Sequence, residues 1–342
     1  MRPVRTAIIG AGAVVSMYLD NGLLDLQTAG EVDLRIAFSR NRERAEALAA
    51  RIGGHPCTDL SAVLESTDIE AVIVATPHAS HAEIVLAATA AGKHVLVEKP
   101  MALDLSQARE MVAAAAAAGV VLGVFENYQF VEPLLIARKM VAEGVVGQLA
   151  LVRAQRTAYL ADVWLTNPWR AAKGPGGGII IDQLCHQVRG LRLVSQQEVT
   201  HVSAMATSAR PDFEAEDTAV VNLKLASGLL GQVALTWAAR IPAEPELRLD
   251  GAEGSLDVFR WPDGRIVLRR ADLPGGSKVL VERSDIFCFR ETFLDFFRAC
   301  REETEIAISG EEGFHDLAVV EAVRRSLATG RVEEVPVLRP RE

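Results

Sequence analysis

Three side chains carry chemistry that a bare scaffold does not need: an ammonium at Lys99, a carboxylate at Asp182 and an imidazole at His186. Lys99 follows the apolar run His94-Val95-Leu96-Val97 and precedes Pro100. It therefore reads as a cation at the carboxyl end of a buried strand, where open α/β sheets bind ligands. Glu98-Lys99-Pro100 also fits a polar strand end without chemistry. If the segment after Gly176-Gly177-Gly178 is helical, Asp182 and His186 share a face and Arg189 follows one turn later. That spacing suits a proton-transfer pair, or a core histidine capped by an aspartate. Hydride leaves a carbinol carbon only as the hydroxyl loses its proton. A base such as His186 would then lie within about 2.6 to 3.2 Å of that oxygen, with Asp182 orienting the ring and Lys99 stabilising alkoxide charge. Nothing in the sequence lowers the pKa of Cys185, which reads as a buried thiol rather than a nucleophile.

The elements that must position these groups come in two styles. The first is an alternation of apolar strands and helices. Thr6-Ala7-Ile8-Ile9 runs straight into Gly10-Ala11-Gly12, where Gly10 allows a tight turn. Gly12 and Ala13, opening the next helix, would offer backbone N–H groups to a pyrophosphate. The same fragment serves a tight turn without a nucleotide, and Val15 stands where a small third residue is usual. The strand Val32–Phe38 ends in Ser39-Arg40-Asn41-Arg42, with no acid to accept from a ribose 2'-hydroxyl. This tip predicts NADP, with NAD as the alternative; it also fits the solvated start of a helix over 42–51. The strand Ala71–Ala75 ends in Thr76-Pro77-His78, and a capping box of Ser80 with Glu83 predicts a helix stopping at Gly92. His78 and His81, just past that strand, are placed for cofactor contact or for helix entry alone. A helix from Asp104 to Gly119 and a strand over 120–125 follow the lysine. Strands interleaved in this way imply right-handed crossovers and a doubly wound parallel sheet, an α/β domain over 1–125.

Beyond Glu126 the pattern changes. Gln148–Ala158, Val199–Ser208, Asp217–Ala226 and Leu229–Arg240 alternate apolar and polar residues and are joined by turns such as Ser227-Gly228. They predict an α+β domain with an antiparallel sheet over 126–342. Val220, Leu223, Leu225, Val233 and Leu235 exceed what one covered face should absorb, which predicts self-association unless helices such as 293–300 cover them.

The chain's 342 residues, 49% of them hydrophobic, allow two sizeable cores. A net charge of -9 with no block of Lys or Arg argues against nucleic acid or an acidic membrane surface. Four scattered cysteines without zinc spacing, no metal cage and no apolar span point to a metal-free, cytoplasmic protein.

The ordered set Gly10-x-Gly12, Thr76-Pro77, Gly92-Lys93-His94-Val95 with Glu98-Lys99-Pro100, Trp169-Arg170, and Gly176-Gly177-Gly178 with Asp182 and His186 resembles the Gfo/Idh/MocA family of glucose-fructose oxidoreductases and inositol dehydrogenases. The segment from Ser309-Gly310-Glu311 to Gly330 is similar to that family's last helix. The resemblance implies a Rossmann domain followed by a domain with a large open-faced sheet that makes homodimer or homotetramer contacts. It implies NAD(P)-dependent oxidation or reduction of a secondary alcohol on a sugar, cyclitol or related polyol. Lys99 would bind the substrate hydroxyl and the nicotinamide ribose, and Asp182 with His186 would support proton transfer. Thr76, Pro77 and Glu98 would border the cofactor, while Tyr128, Trp169 and Arg170 would border the substrate. Gln129 and Arg189 depart from the family pattern, which bears on the usual substrate contacts. A non-catalytic dinucleotide- or sugar-sensing regulator, and redox-cycling elimination or epimerisation on a bound sugar, are the alternatives.

Overall fold

The computed structural model describes residues 2–160, 168–174, 176–240, 244–260, 263–282 and 287–338, so Pro175 of the expected glycine-rich segment lies outside the described residues. Two compact units divide the chain: Met1–Asn127 with Cys288–Phe314, and Tyr128–Phe287 with His315–Glu342.

The first unit is built on six strands, β1 Val4–Ile9, β2 Val32–Phe38, β3 His55–Cys57, β4 Ala71–Val74, β5 His94–Glu98 and β6 Leu122–Phe125. All pair in parallel, in the order β3-β2-β1-β4-β5-β6. Strands covered by helices on both faces have no polar side to show, and Ala7–Ile9, Ala71–Val74 and Val95–Val97 are correspondingly buried. The order reverses between β1 and β4, and a crevice opens at such a reversal beyond the carboxyl ends of the strands. Short polar side chains start the helices: Asn41 accepts from Arg44 N, Asp59 from Ser61 N and Asp104 from Gln107 N. The expected capping box at Ser80 is not formed. A turn of 3₁₀ helix at His78–Ser80 precedes the helix His81–Ala90, and the Ser80 hydroxyl donates to Thr76 Oγ1 and Pro77 O instead.

Phe289–Cys300, with its aromatic face, packs inside this first unit. Phe289 and Phe293 meet Tyr18 and Phe125, and the main chain of Val124 bonds Ile308.

The second unit holds nine strands: β7 Leu149–Thr157, β8 Val199–Thr207, β9 Thr218–Leu225, β10 Leu230–Thr236, β11 Leu247–Gly251, β12 Ser255–Val258, β13 Ile266–Arg269, β14 Ser277–Val281 and β15 Glu333–Glu334. Their order is β14-β13-β12-β11-β7-β10-β9-β8-β15, antiparallel except for the β7/β10 pair. The helix Ile179–Ser195 packs on β7, β9 and β10. Its cover corrects the surplus of apolar residues expected from the sequence: Leu223, Leu225, Val233 and Leu235 all point under it and are buried, and only Val220 is exposed. Strict period-two alternation in β9 sorts the two faces, with Ala219, Val221, Leu223 and Leu225 in and Val220, Asn222 and Lys224 out.

Among the described residues no helix is long and apolar enough to cross a membrane.

Candidate active site

In the first unit the turn after β1 is shaped by its glycines. Gly10 has φ +118°, and a Cβ there would sit 2.4 Å from Ala75 O, so only glycine lets β1 and β4 close up at the order reversal. Gly12 caps the helix Ala13–Tyr18, and a Cβ on it would meet nothing within 4 Å. That open space over first-turn N–H groups suits a pyrophosphate. Val15 is buried in the helix behind it, so the larger third residue is absorbed by packing. At the end of β2, Ser39 Oγ accepts from Asn41 N, while among the described residues the exposed Arg40 guanidinium has no hydrogen bond or ion pair.

The loops after β4 and β5 carry the remaining residues of this end. Thr76 and Pro77 are linked through Ser80, and the His78 ring meets the His81 ring edge-on at 5.5 Å. His81, expected near the cofactor, lies behind the loop that carries Thr76 and Pro77. The ring is fully buried, with Nε2 2.8 Å from Thr76 O and Nδ1 3.1 Å from Pro100 O. Burial pushes its pKa below the ordinary imidazole value. Glu98 closes β5 and accepts from the Tyr18 hydroxyl, and Lys99 stands next, half-buried.

In the second unit the segment after the glycines is helical, which meets the condition set by the sequence, and Ile179–Ser195 carries Asp182 and His186 one turn apart. Gly178 has φ +91°, and a Cβ there would meet Glu216 Oε1 at 2.1 Å; one on Gly177 would meet Ala172 O at 2.0 Å. These glycines thus admit neighbouring protein atoms to the start of the helix. Gly178 N donates to Arg170 O, and Glu216 accepts from Ile179 N and Ile180 N, so the 3₁₀ turn Pro168–Arg170 and Glu216 both fix the helix end. Burial raises the Glu216 carboxyl above its usual range.

Asp182 is buried and accepts from Gln183 Nε2 at 3.0 Å and Arg170 Nε at 3.5 Å. The Arg170 guanidinium in turn lies over the Trp169 ring, 4.1 Å from its centre. His186 stacks on Tyr128, with ring centroids 4.8 Å apart. Arg189, on the same helix, is committed elsewhere: its guanidinium grips Asp316 with Nε at 3.0 Å and Nη2 at 2.7 Å, and Arg192 holds the other oxygen at 2.7 Å. Gln129 is half-buried.

Sequence reasoning missed the group behind Tyr128. Its hydroxyl donates to Glu246 and accepts from Gln187 Nε2 at 3.1 Å, and Arg260 lies over its ring at 4.4 Å. Burial, reinforced by Glu246, raises the phenol pKa, so the hydroxyl keeps its proton and donates. Gln187 is next to His186 in sequence, but Glu246 and Arg260 come from distant segments, and no local pattern announces them.

Residues 4–126 match the model of an oxidoreductase family with an NAD-binding Rossmann fold, and residues 134–257 match the GFO/IDH/MocA C-terminal domain. Over 97% of its length the chain is 32% identical to the 1,5-anhydro-D-fructose reductase of Ensifer adhaerens, of which it covers 98%. It is 25% identical to the NADP-dependent scyllo-inositol 2-dehydrogenase of Bacillus subtilis, covering 94% of this chain and 93% of that one. In three dimensions it superposes with a TM-score of 0.85 on an inositol dehydrogenase homologue from Azotobacter vinelandii solved with NADH and myo-inositol, at 21% identity over 97% of this chain and 98% of that one.

Proposed function

The chain belongs to the Gfo/Idh/MocA family of oxidoreductases, and from that premise we propose that it transfers hydride between NADP and a secondary alcohol of a sugar, cyclitol or related polyol. One observation carries the reading. On one helix, one turn apart, stand a carboxylate held by Arg170 and an imidazole held flat on Tyr128. A packed core gains nothing from a buried carboxylate, whereas a proton-transfer pair needs both groups fixed.

In this reading His186 takes the hydroxyl proton as the alcohol is oxidised and returns it when a carbonyl is reduced. Asp182 orients the ring. Lys99, as an ammonium, holds the reacting oxygen and stabilises alkoxide charge, while Trp169 and Arg170 border the substrate. The bound nicotinamide accepts or gives up the hydride. Gly10, Gly12 and Ala13 would hold the pyrophosphate, with Thr76, Pro77, His78 and Glu98 around the rest of the cofactor. Ser39 and Arg40 would face a 2'-phosphate, and the arginine's lack of a hydrogen bond or ion pair among the described residues supports NADP.

Cofactor absorbance followed against a panel of sugars and cyclitols tests the proposal. Turnover with at least one member is expected. Tight NADP binding with no turnover on any member would replace the enzyme with a sensor.

A further inference from the structure

The residues on either side of Lys99 are tied to two different helices of the first unit. Before it, Glu98 accepts from the hydroxyl of Tyr18 on the helix Ala13–Tyr18. After it, Pro100 O faces Nδ1 of His81, whose Nε2 faces Thr76 O on the neighbouring strand end. Tyr18 is 1% exposed and His81 0% exposed. The Tyr18 ring is locked by Phe125, Phe289 and Phe293, with centroids at 4.4, 5.7 and 5.1 Å, so its hydroxyl has one place to point.

Packing alone does not call for either polar atom. A phenylalanine would complete the aromatic cluster, and an apolar residue would fill the His81 site without the cost of a buried polar ring, about 1–3 kcal/mol when unsatisfied. The neutral imidazole has one N–H and gives it to one carbonyl at a time, with the other nitrogen against the second. With the proton on Nδ1 the ring donates to Pro100 O in the loop bearing Lys99, and Nε2 then only packs against Thr76 O. Both ties converge on one short segment, Glu98-Lys99-Pro100.

We propose that Tyr18 and His81 are positioning residues for Lys99: they fix the chain on both sides of it and so set where its ammonium meets the reacting oxygen. The proposal rests on the reading of Lys99 as the group that binds that oxygen. Misplacing a catalytic group by about 1 Å costs up to roughly a hundredfold in rate.

The test is a pair of double-mutant cycles on the full-length enzyme, read as single-turnover hydride transfer with a substrate from the panel. Tyr18→Phe and His81→Phe should each slow the step about tenfold to a hundredfold, with NADP affinity and melting temperature near wild type for Tyr18→Phe. His81→Gln, which keeps one donor, should recover part of the rate, and it replaces His81→Phe if that variant does not fold. In a Lys99→Ala background the same substitutions should add little, because the group they aim is gone. Full effects in that background, or wild-type rates for Tyr18→Phe and His81→Gln alone, would overturn the proposal. If Lys99→Ala by itself turned over like wild type, the reading of Lys99 would fail first, and this proposal with it.

Discussion

The imidazole of His186 lies flat against the ring of Tyr128, their planes 15° apart. A stacked pair of this kind contributes about 0.5–1.5 kcal/mol and, more to the point, removes the ring's freedom to turn. Tyr128 can serve as a fixed plate because Glu246 and Gln187 hold its hydroxyl. The two parts of the side chain therefore separate. Tyr128→Phe leaves the plate and should cost stability, about 1–3 kcal/mol, because the buried Glu246 carboxylate loses one of its two donors and keeps Gln187 Nε2, with a smaller effect on turnover. Tyr128→Ala removes the plate and should lower turnover by about tenfold or more beyond any loss of stability. Thermal unfolding and turnover measured on both variants decide this, and equal turnover in the two would exclude a role for the stack.

Cofactor choice rests on Arg40 and the acid-free tip of β2. A charge-assisted contact from arginine to phosphate is worth about 1.5–3 kcal/mol, or about tenfold to a hundredfold in affinity. Titration should give tighter binding of NADP than NAD, and Arg40→Ala should erase most of the difference. Equal or tighter NAD binding, unmoved by Arg40→Ala, would contradict it.

Much of this was legible in the sequence, and the failures share a cause. Apolar runs between turn residues located β1, β2, β4 and β5, because strands buried on both faces need continuous hydrophobicity. The four-residue spacing of Asp182 and His186 put them on one face on the condition that their segment is helical, and it is. What failed depended on which partner a group finds in the folded chain, near or far in sequence. Ser80 with Glu83 had the pattern of a capping box, but Thr76 and Pro77 claimed the serine. Nothing local says that Glu216 and Ala172 occupy the space beside the glycines before Asp182. Nothing local in Phe289–Cys300 says that its aromatic face belongs with Tyr18 and Phe125.

Acid should weaken the fold through the buried His81 and the half-buried His94. Burial lowers the pKa of His81 and His94, and His94 Nδ1 must stay unprotonated to accept from Val121 N at 3.0 Å. With folded-state values below the unfolded value of about 6.5, the unfolded chain takes up protons first as pH falls. Stability is therefore full above that pH and declines below it, by at most about 1.4 kcal/mol per pH unit for each histidine. The half-buried carboxyls of Glu216 and Asp295, whose pKa values are raised, act in the opposite sense. The comparison between wild type and His94→Gln isolates the effect. Melting temperature should fall less steeply from pH 7.5 to 5.5 in the variant, and parallel curves would refute the assignment.

Self-association is expected through the uncovered face of the second sheet, though on a narrower basis than the sequence suggested. Met205, Val220 and Leu230 are 81%, 41% and 56% exposed, and Met205 pairs directly with Val220 across β8 and β9. Sedimentation should show a dimer or larger assembly, which Val220→Lys with Met205→Lys should weaken. A wild-type monomer at micromolar concentration and above would end this expectation.

The central claim is that Lys99 and His186 serve the chemical step rather than the fold. Single-turnover hydride transfer, with NADP prebound and a substrate taken from the panel, measures that step directly. Lys99→Ala and His186→Ala should each slow it by about 10² to 10⁴ while NADP affinity and melting temperature stay close to wild type. Wild-type rates in both variants would contradict the account.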